Sequence, residues 1–338
     1  MLVSIVIPNW NGAGFLPTCL DALRSQTYRS FEVIVVDNGS RDDSVELLRR
    51  NYPEARVIDW PENRGFAAAV NEGIRQARGE AVALLNNDTE ADPLWLSELC
   101  HAATLHPEVG FFASKLLLFD RREVLHSAGD FYGVDGVPGN RGVWQEDLGQ
   151  FDDEREVFGA CGGAALYRLD MLRDVGLFDE GLGSYCEDVD LSFRAQLAGY
   201  RCLFVPTARV YHRLSATGGG PTASYYCGRN FILVLAKNMP GSLIRRYWWS
   251  ILGAQARYVG ESLWHFRESA ARARLRGQLA ALAHLPRALE ARREVQAKRR
   301  VADSRIESIL TLTKDRERWI QRYRQAQSQR LSAQDSAG

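Results

Sequence analysis

The chain has 338 residues with 42 basic and 42 acidic side chains, so its formal charge is zero. Hydrophobic residues make up 46% and charged residues 25%, which excludes a globally disordered, collagen-like or disulfide-scaffold chain. The balanced charge excludes a uniformly basic nucleic-acid binder, and no nucleic-acid partner is expected.

Residues 2–7 read as a buried strand, and 14–26 as a helix with Phe15, Leu16, Cys19, Leu20 and Leu23 on one face. A second strand at 32–36 ends in the turn sequence Asp37-Asn38-Gly39-Ser40. Asp42 or Asp43 caps the next helix, 44–51. A strand at 56–59, a helix at 65–77 and a strand at 81–85 follow, the last running into Asn86-Asn87-Asp88. Strands separated by helices predict parallel β-α-β units in an α/β layer architecture. Ligands of such sheets bind beyond the carboxyl ends of the strands. The polar clusters at 8–11 (Pro8, Asn9, Asn11), 37–42 and 86–88 sit at those ends and are expected to converge.

Residues 110–160 mix glycine, aromatic and acidic residues and read as a long excursion of short strands and loops. A small-residue segment, 159–165, precedes a helix at 169–175; a second helix at 189–198 and a last strand at 201–205, running on to Tyr211 and His212, follow. The six cysteines are scattered, with no C-x-x-C pair, and are expected to be free thiols of a cytoplasmic protein. The N-terminus has neither the basic segment nor the cleavage site of a secretory signal. No run reaches the ~18 uninterrupted apolar residues of a spanning helix.

Several of these positions have the chemistry of a site. Asp37 is expected to expose its carboxylate from a turn, to a base or ribose, although a turn-forming Asp reads equally well. Asp88 is thrust from a core strand at the ligand edge, as one carboxylate ligand of a hard cation such as Mg2+ or Mn2+; the alternative is a cap for a helix entered near Trp95. In Cys186-Glu187-Asp188-Val189-Asp190, successive helical residues diverge by ~100°, so the three carboxylates cannot point to one place. Asp190 and Arg194 are spaced to form a surface or subsurface pair, which leaves Glu187 or Asp188 to face the cleft as a general base. His212 is a possible imidazole metal ligand. Gly218-Gly219-Gly220 reads as a loop able to fold over a ligand, without the context or lysine of a P-loop.

Taken together, Val3-Ser4-Ile5-Val6-Ile7-Pro8-Asn9-Trp10-Asn11, Val35-Val36-Asp37-Asn38-Gly39-Ser40, Asn63-Arg64-Gly65-Phe66-Ala67, Leu84-Leu85-Asn86-Asn87-Asp88-Thr89 and Tyr185-Cys186-Glu187-Asp188-Val189-Asp190-Leu191 resemble family 2 glycosyltransferases. The similarity covers roughly residues 1–235 and is greatest to the rhamnosyltransferase-like bacterial branch. It implies a GT-A fold, a Rossmann-like mixed sheet flanked by helices, with a helical C-terminal extension outside the resemblance. It also implies inverting transfer of a sugar from a nucleoside-diphosphate donor to a hydroxyl of a glycan or lipid-linked acceptor. The branch favours dTDP-rhamnose, with UDP-sugars next. By the same resemblance Pro8, Asn9 and Asn11 line the nucleotide pocket, Asp37 binds the base, and Asn63, Arg64 and Gly65 lie close to the nucleotide. Asp88 is the last acid of the family's D-x-D metal motif, whose first position is Asn86 here, and Asn86 and Asn87 are assigned to nucleotide and donor binding. Asp188, with Glu187 beside it, matches the catalytic base, and His212 a histidine that completes the metal site. The alternative is a catalytically degenerate domain that senses nucleotide sugars or acts as a scaffold. A dehydrogenase is a poor match, because the first turn lacks G-x-G-x-x-G.

From Gly241 onward the chain carries 20 Lys and Arg against 9 Asp and Glu, a net +11, balanced by −11 on the first 240 residues. This divides the chain into a catalytic domain, 1–240, and a basic, mainly helical region, 241–338. Phe231-Ile232-Leu233-Val234-Leu235 and Tyr247-Trp248-Trp249-Ser250-Ile251-Leu252, interrupted by Lys237, Arg245 and Arg246, suit helices lying on the anionic inner face of a membrane. Residues 296–312 and 314–330 remain helical in composition, and a homodimer through this region is the other expectation.

Overall fold

The alternation of β-branched runs with amphipathic helices builds the first half of the molecule. The computed structural model describes residues 1–213 and 219–335. Its first elements are β1 (Val3–Asn9), α1 (Leu16–Arg24), β2 (Phe31–Asn38), α2 (Ser44–Asn51), β3 (Ala55–Trp60), α3 (Phe66–Arg75) and β4 (Ala81–Leu85). Then come β5 (Thr89–Ala91), α4 (Trp95–Leu105), β6 (Phe111–Leu118), β7 (Leu125–Ala128), β8 (Asp130–Tyr132), β9 (Pro138–Asn140) and β10 (Glu156–Val157). β11 (Ala164–Arg168), α5 (Leu169–Val175), α6 (Glu187–Leu197) and β12 (Cys202–His212) complete the sheet region. The rest is helical: α7 (Gly220–Asn238), α8 (Gly241–Trp264), α9 (Ser269–Ala297), α10 (Asp303–Ile309) and α11 (Thr313–Asp335).

The main sheet has the order β10-β12-β6-β11-β4-β1-β2-β3. β3, β2, β1 and β4 are mutually parallel, as consecutive β-α-β units require. β11 runs antiparallel to both β4 and β6, so the sheet is mixed. β5 adds antiparallel to the end of β12, and β7 to β6. β1 and β4 are buried along almost their whole length, and α1, α3 and α4 cover the two faces.

Residues 110–160 hold the expected short strands, β7 to β10, but begin with a longer one. β6 is an eight-residue, fully buried strand in the middle of the sheet. Lys115 lies within it at 1% exposure, held by Asp147 and Asp152 at 2.9 and 2.8 Å. Its charge is thus neutralised by partners more than thirty residues away. In the tail, 296–312 is not one helix: the chain turns after Ala297 and resumes at Asp303.

One apolar cluster crosses residue 240. Tyr132, Phe158, Leu182, Phe193 and Leu197 pack with Leu233, Val234, Met239, Leu243, Ala281 and Ile306. Of the glycine loop expected at 218–220, Gly218 lies outside the described residues, and Gly220 is the first residue of α7.

Candidate active site

A cavity of about 650 Å3 opens at the carboxyl ends of β1 and β4, facing the start of α6 and one side of α7. Pro8, Asn9, Asn63, Gly65, Asn86 and Asn87 line one part of it; Asp88, His212, Glu187 and Asp188 line another. Residues as far apart in sequence as Pro8 and His212 therefore share one cavity.

The nucleotide side is built on a chain of side-chain hydrogen bonds. Asn87 Nδ2 donates to Asn9 Oδ1 at 2.7 Å, and Asn9 Nδ2 donates to Asp37 Oδ2 at 2.7 Å. Gly12 lies so close that a Cβ there would fall 2.2 Å from both Asn87 Nδ2 and Asn9 Oδ1. Asn38 ties the next loop, donating to Asn63 Oδ1 and Gly65 O and accepting from the Arg64 amide.

One expectation is corrected here, and two further residues stand beside the cavity lining. Asp37 is not exposed: it is fully buried, and its oxygens accept from Asn9, the Ser40 amide and the Ser40 hydroxyl. Its carboxylate braces the loop and does not line the cavity. Asn11 also stays outside the lining; its Oδ1 accepts from the Arg41 amide, and its own amide donates to Ser40 Oγ, joining the ends of β1 and β2. The Arg64 side chain lies over the Trp60 ring, 4.9 Å from its centroid, and is likewise outside the lining.

The pairing of β5 with β12 sets His212 opposite Thr89 and brings Asp88 beside it. His212 Nε2 lies 3.1 Å from Asp88 Oδ1. Asp88 is not a helix cap, because α4 begins seven residues on and Asp92 accepts from the Leu94 amide there. Asp88 Oδ1 and Asn86 Oδ1 are both buried and accept no aligned hydrogen bond. Asp88 Oδ1 and the imidazole nitrogen of His212, 3.1 Å apart, are donors of the kind that fits a hard divalent cation of the Mg2+ or Mn2+ type. A Cβ on Gly163 would stand 3.5 Å from Asn86 Nδ2 and from His212 Cε1, in ordinary contact with both.

The acidic side begins with an unusual backbone. Tyr185 and Cys186 have φ of 66° and 69°, the left-handed region that costs an ordinary side chain of order 1–3 kcal/mol. Asn230 on α7 holds this turn by donating Nδ2 to the carbonyls of Leu182, Ser184 and Tyr185. The turn delivers Glu187 and Asp188 to the first turn of α6. Asp188 Oδ2 accepts from the Gly162 amide and Oδ1 from its neighbour Val189, both at 2.8 Å. Burial raises the Asp188 carboxyl above its usual range, partly offset by those amides. Glu187 is buried with Oε2 unpartnered; burial, and then Asp188, push it well above the usual range.

The expected pair of Asp190 and Arg194 forms, and of its surface and subsurface alternatives the structure shows the buried one. Asp190 has no exposure and accepts from Arg194 Nε at 2.8 Å, Lys237 Nζ at 3.0 Å and Asn238 Nδ2 at 2.8 Å. Burial alone raises this carboxyl, but Lys237 and Arg194 outweigh it and hold it down to about 2.

Sequence reasoning missed Asp130, Cys161 and His126. Ligand-capable atoms of Asp130, Cys161 and Asp188 lie within 4.8 Å of one another. Asp130 Oδ1 accepts from Ser127 and Asn140, and burial, then Asp188, push its carboxyl up to about 8. The Cys161 thiol is pushed well above 9.0 by burial, which keeps it protonated and a poor partner for a hard cation. The six cysteines are free, as expected.

Residues 4–176 match the family model described as glycosyl transferase family 2. The chain is 31% identical over 237 residues to the O-antigen biosynthesis protein RfbC of Myxococcus xanthus, covering 66% of this chain and 18% of that protein. An uncharacterized protein of Sinorhizobium fredii is 34% identical over 230 residues, again with only 25% of its length covered. The N-acetylglucosaminyl-diphospho-decaprenol L-rhamnosyltransferase of Mycobacterium tuberculosis is 28% identical over 281 residues, 75% of this chain and 91% of that one. Among solved structures, S. aureus TarS superposes with a TM-score of 0.54 at 20% identity, covering 75% of this chain and 43% of that one. GalNAc-T7, solved with UDP, GalNAc and Mn2+, superposes with a TM-score of 0.57 at 18% identity, covering 70% and 48%. These likenesses establish a GT-A fold with a helical C-terminal region, and the match over residues 4–176 establishes the family: the chain belongs to glycosyl transferase family 2.

Proposed function

We propose that the chain is an inverting, metal-dependent glycosyltransferase that moves a sugar from a nucleoside-diphosphate donor to a hydroxyl of a cell-envelope glycan or lipid-linked acceptor. The observation that carries this reading is the position of Asp188 in the same cavity as Asp88 and His212, with Gly162 and Gly163 between them. Asp188 takes the proton of the acceptor hydroxyl, whose oxygen then attacks the anomeric carbon as the bond to the diphosphate oxygen breaks. A single displacement inverts configuration and needs no covalent nucleophile. Glu187, whose carboxyl is pushed well above its usual range by burial and by Asp188, stands beside the base. Pro8, Asn9, Asn63, Gly65, Asn86 and Asn87 receive the nucleotide and donor, while Asp37, Asn11 and Arg64 support that wall from behind. Asp88 and His212, with Asn86 adjacent, hold the cation. When bound, Mg2+ or Mn2+ neutralises charge on the departing diphosphate.

Similarity to the mycobacterial rhamnosyltransferase favours rhamnose as the sugar and dTDP-rhamnose as donor, with UDP-sugars next. We assign residues 1–240 to catalysis and 241–338 to attachment at the cytoplasmic face of a membrane, with dimerisation as the competing role. No helix among the described residues is long and apolar enough to cross a membrane. However, α8 leaves Trp249, Leu252, Val259 and Leu263 exposed at helical spacing, with Trp264 87% exposed at its end. Arg245, Arg246, Arg257 and Arg267 are exposed along the same stretch, Arg246 paired with Glu307 and Arg257 with Glu261, and this basic, apolar stretch suits insertion at an anionic lipid surface. A thermal-shift screen of nucleoside diphosphates and their sugars, with and without Mn2+, tests the donor reading. Stabilisation by one nucleotide that increases with Mn2+ supports it; no response to any of them overturns it.

A further inference from the structure

His126 plays no part in the transfer outlined above, yet it is buried at 6% exposure against the proposed cation site. It sits on β7, where the ladder with β6 slips: Leu116 pairs with Ser127, but Leu117 pairs with Leu125. His126 is therefore the extra residue of a bulge, a device that re-aims a side chain. Its Nδ1 lies 3.1 Å from Nδ1 of His212, with ring centroids 4.9 Å apart and planes tilted by 44°.

Two neutral imidazoles that meet through Nδ1 share one proton between them. If His126 carries it, His212 keeps its own proton on Nε2, facing Asp88, and that nitrogen cannot bind a cation. If His212 carries it, Nε2 holds a lone pair 3.1 Å from Asp88 Oδ1.

We propose that His126 is a positioning residue: it accepts the Nδ1–H of His212 and so holds the Nε2 lone pair toward Asp88 in the tautomer that binds a divalent cation. This rests on the reading of Asp88 and His212 as cation ligands. Metal-bound histidines generally donate their second ring N–H to an acceptor, most often a carboxylate, a backbone carbonyl or water, and losing that partner lowers metal affinity about 10- to 100-fold. His126 Nδ1 takes the acceptor's place here.

The test is Mn2+ binding to the full-length protein, followed by the electron-paramagnetic signal of the free ion. His126→Leu is expected to weaken binding about tenfold or more, while His126→Asn, whose side-chain oxygen accepts in place of Nδ1, stays near wild type. His212→Ala is expected to lose the site. If His212→Ala loses binding but His126→Leu does not, or if His126→Asn is as weak as His126→Leu, the positioning role is wrong and the cation site stands. If His212→Ala binds Mn2+ like wild type, the cation-site reading itself fails. Imidazole-nitrogen NMR of isotope-labelled, Mg2+-loaded wild type gives a readout free of mutation: a proton on His212 Nδ1 is expected, and one on Nε2 overturns the proposal.

Discussion

Lys237 Nζ donates to Asp190 Oδ2 at 3.0 Å, so the helix that carries the proposed base is tied to the helix that leads into the tail. Asp190 also meets Arg194 and Asn238, and all of these groups are buried. Asp190→Ala leaves two cations without their shared anion, and the expected loss is about 3–5 kcal/mol. Denaturant unfolding monitored by circular dichroism checks this. A loss below about 1 kcal/mol, the value of an exposed pair, contradicts it.

Asp130 makes stability depend on pH in an unusual direction. A carboxyl raised from 3.8 to about 8 stays protonated in the folded state while the unfolded chain ionises. The folded state then binds the additional proton, and this group's contribution falls as pH rises from about 4 to about 8. Asp130→Asn keeps an acceptor for Ser127 and Asn140 without that cost. Its melting temperature relative to wild type is expected to increase across this pH range, with little difference at the acid end. An offset that does not change with pH contradicts the shared burial of Asp130 and Asp188.

Asn230 is expected to matter for turnover more than for folding. Its three hydrogen bonds hold the left-handed turn at Tyr185 and Cys186, on which the direction of Asp188 depends. Asn230→Ala is predicted to lower kcat about tenfold or more while nucleotide affinity holds, since misplacement of a reacting group by ~1 Å costs about a hundredfold. Unchanged kcat would show that the turn holds itself.

The α8 ridge predicts selective lipid binding. Replacing Trp249, Leu252 and Leu263 together by serine is expected to abolish flotation with phosphatidylglycerol vesicles. Wild type is expected to bind these better than phosphatidylcholine vesicles, and less well at high salt. Equal binding to both lipids, or to neither, removes the electrostatic attachment. A concentration-dependent dimer lost in the same variant assigns the ridge to a second copy.

Local pattern made the parallel half of the sheet legible, because its helices and strands carry their own periodicity: 44–51, 81–85 and 169–175 match their elements to the residue. It also brought the polar clusters at 8–11 and 86–88 to one edge, whereas the grouping of Asp88 with His212 and Asp188 came from the family resemblance alone. What stayed illegible depends on partners distant in the chain. The burial of Asp37 needs Asn9, that of Lys115 needs Asp147 and Asp152, and that of Asp190 needs Lys237. His126 had no sequence signal at all; only a bulge in β7 turns it toward His212.

The central claim is that Asp188 is the base in a single displacement. Release of nucleoside diphosphate from the stabilising sugar nucleotide, in the presence of Mn2+ and acceptor, tests it most directly when wild type and Asp188→Asn are compared. Turnover by Asp188→Asn is predicted to fall by about a hundred- to ten-thousandfold, with the nucleoside-diphosphate Kd unchanged. Near-normal turnover by that variant would contradict the account.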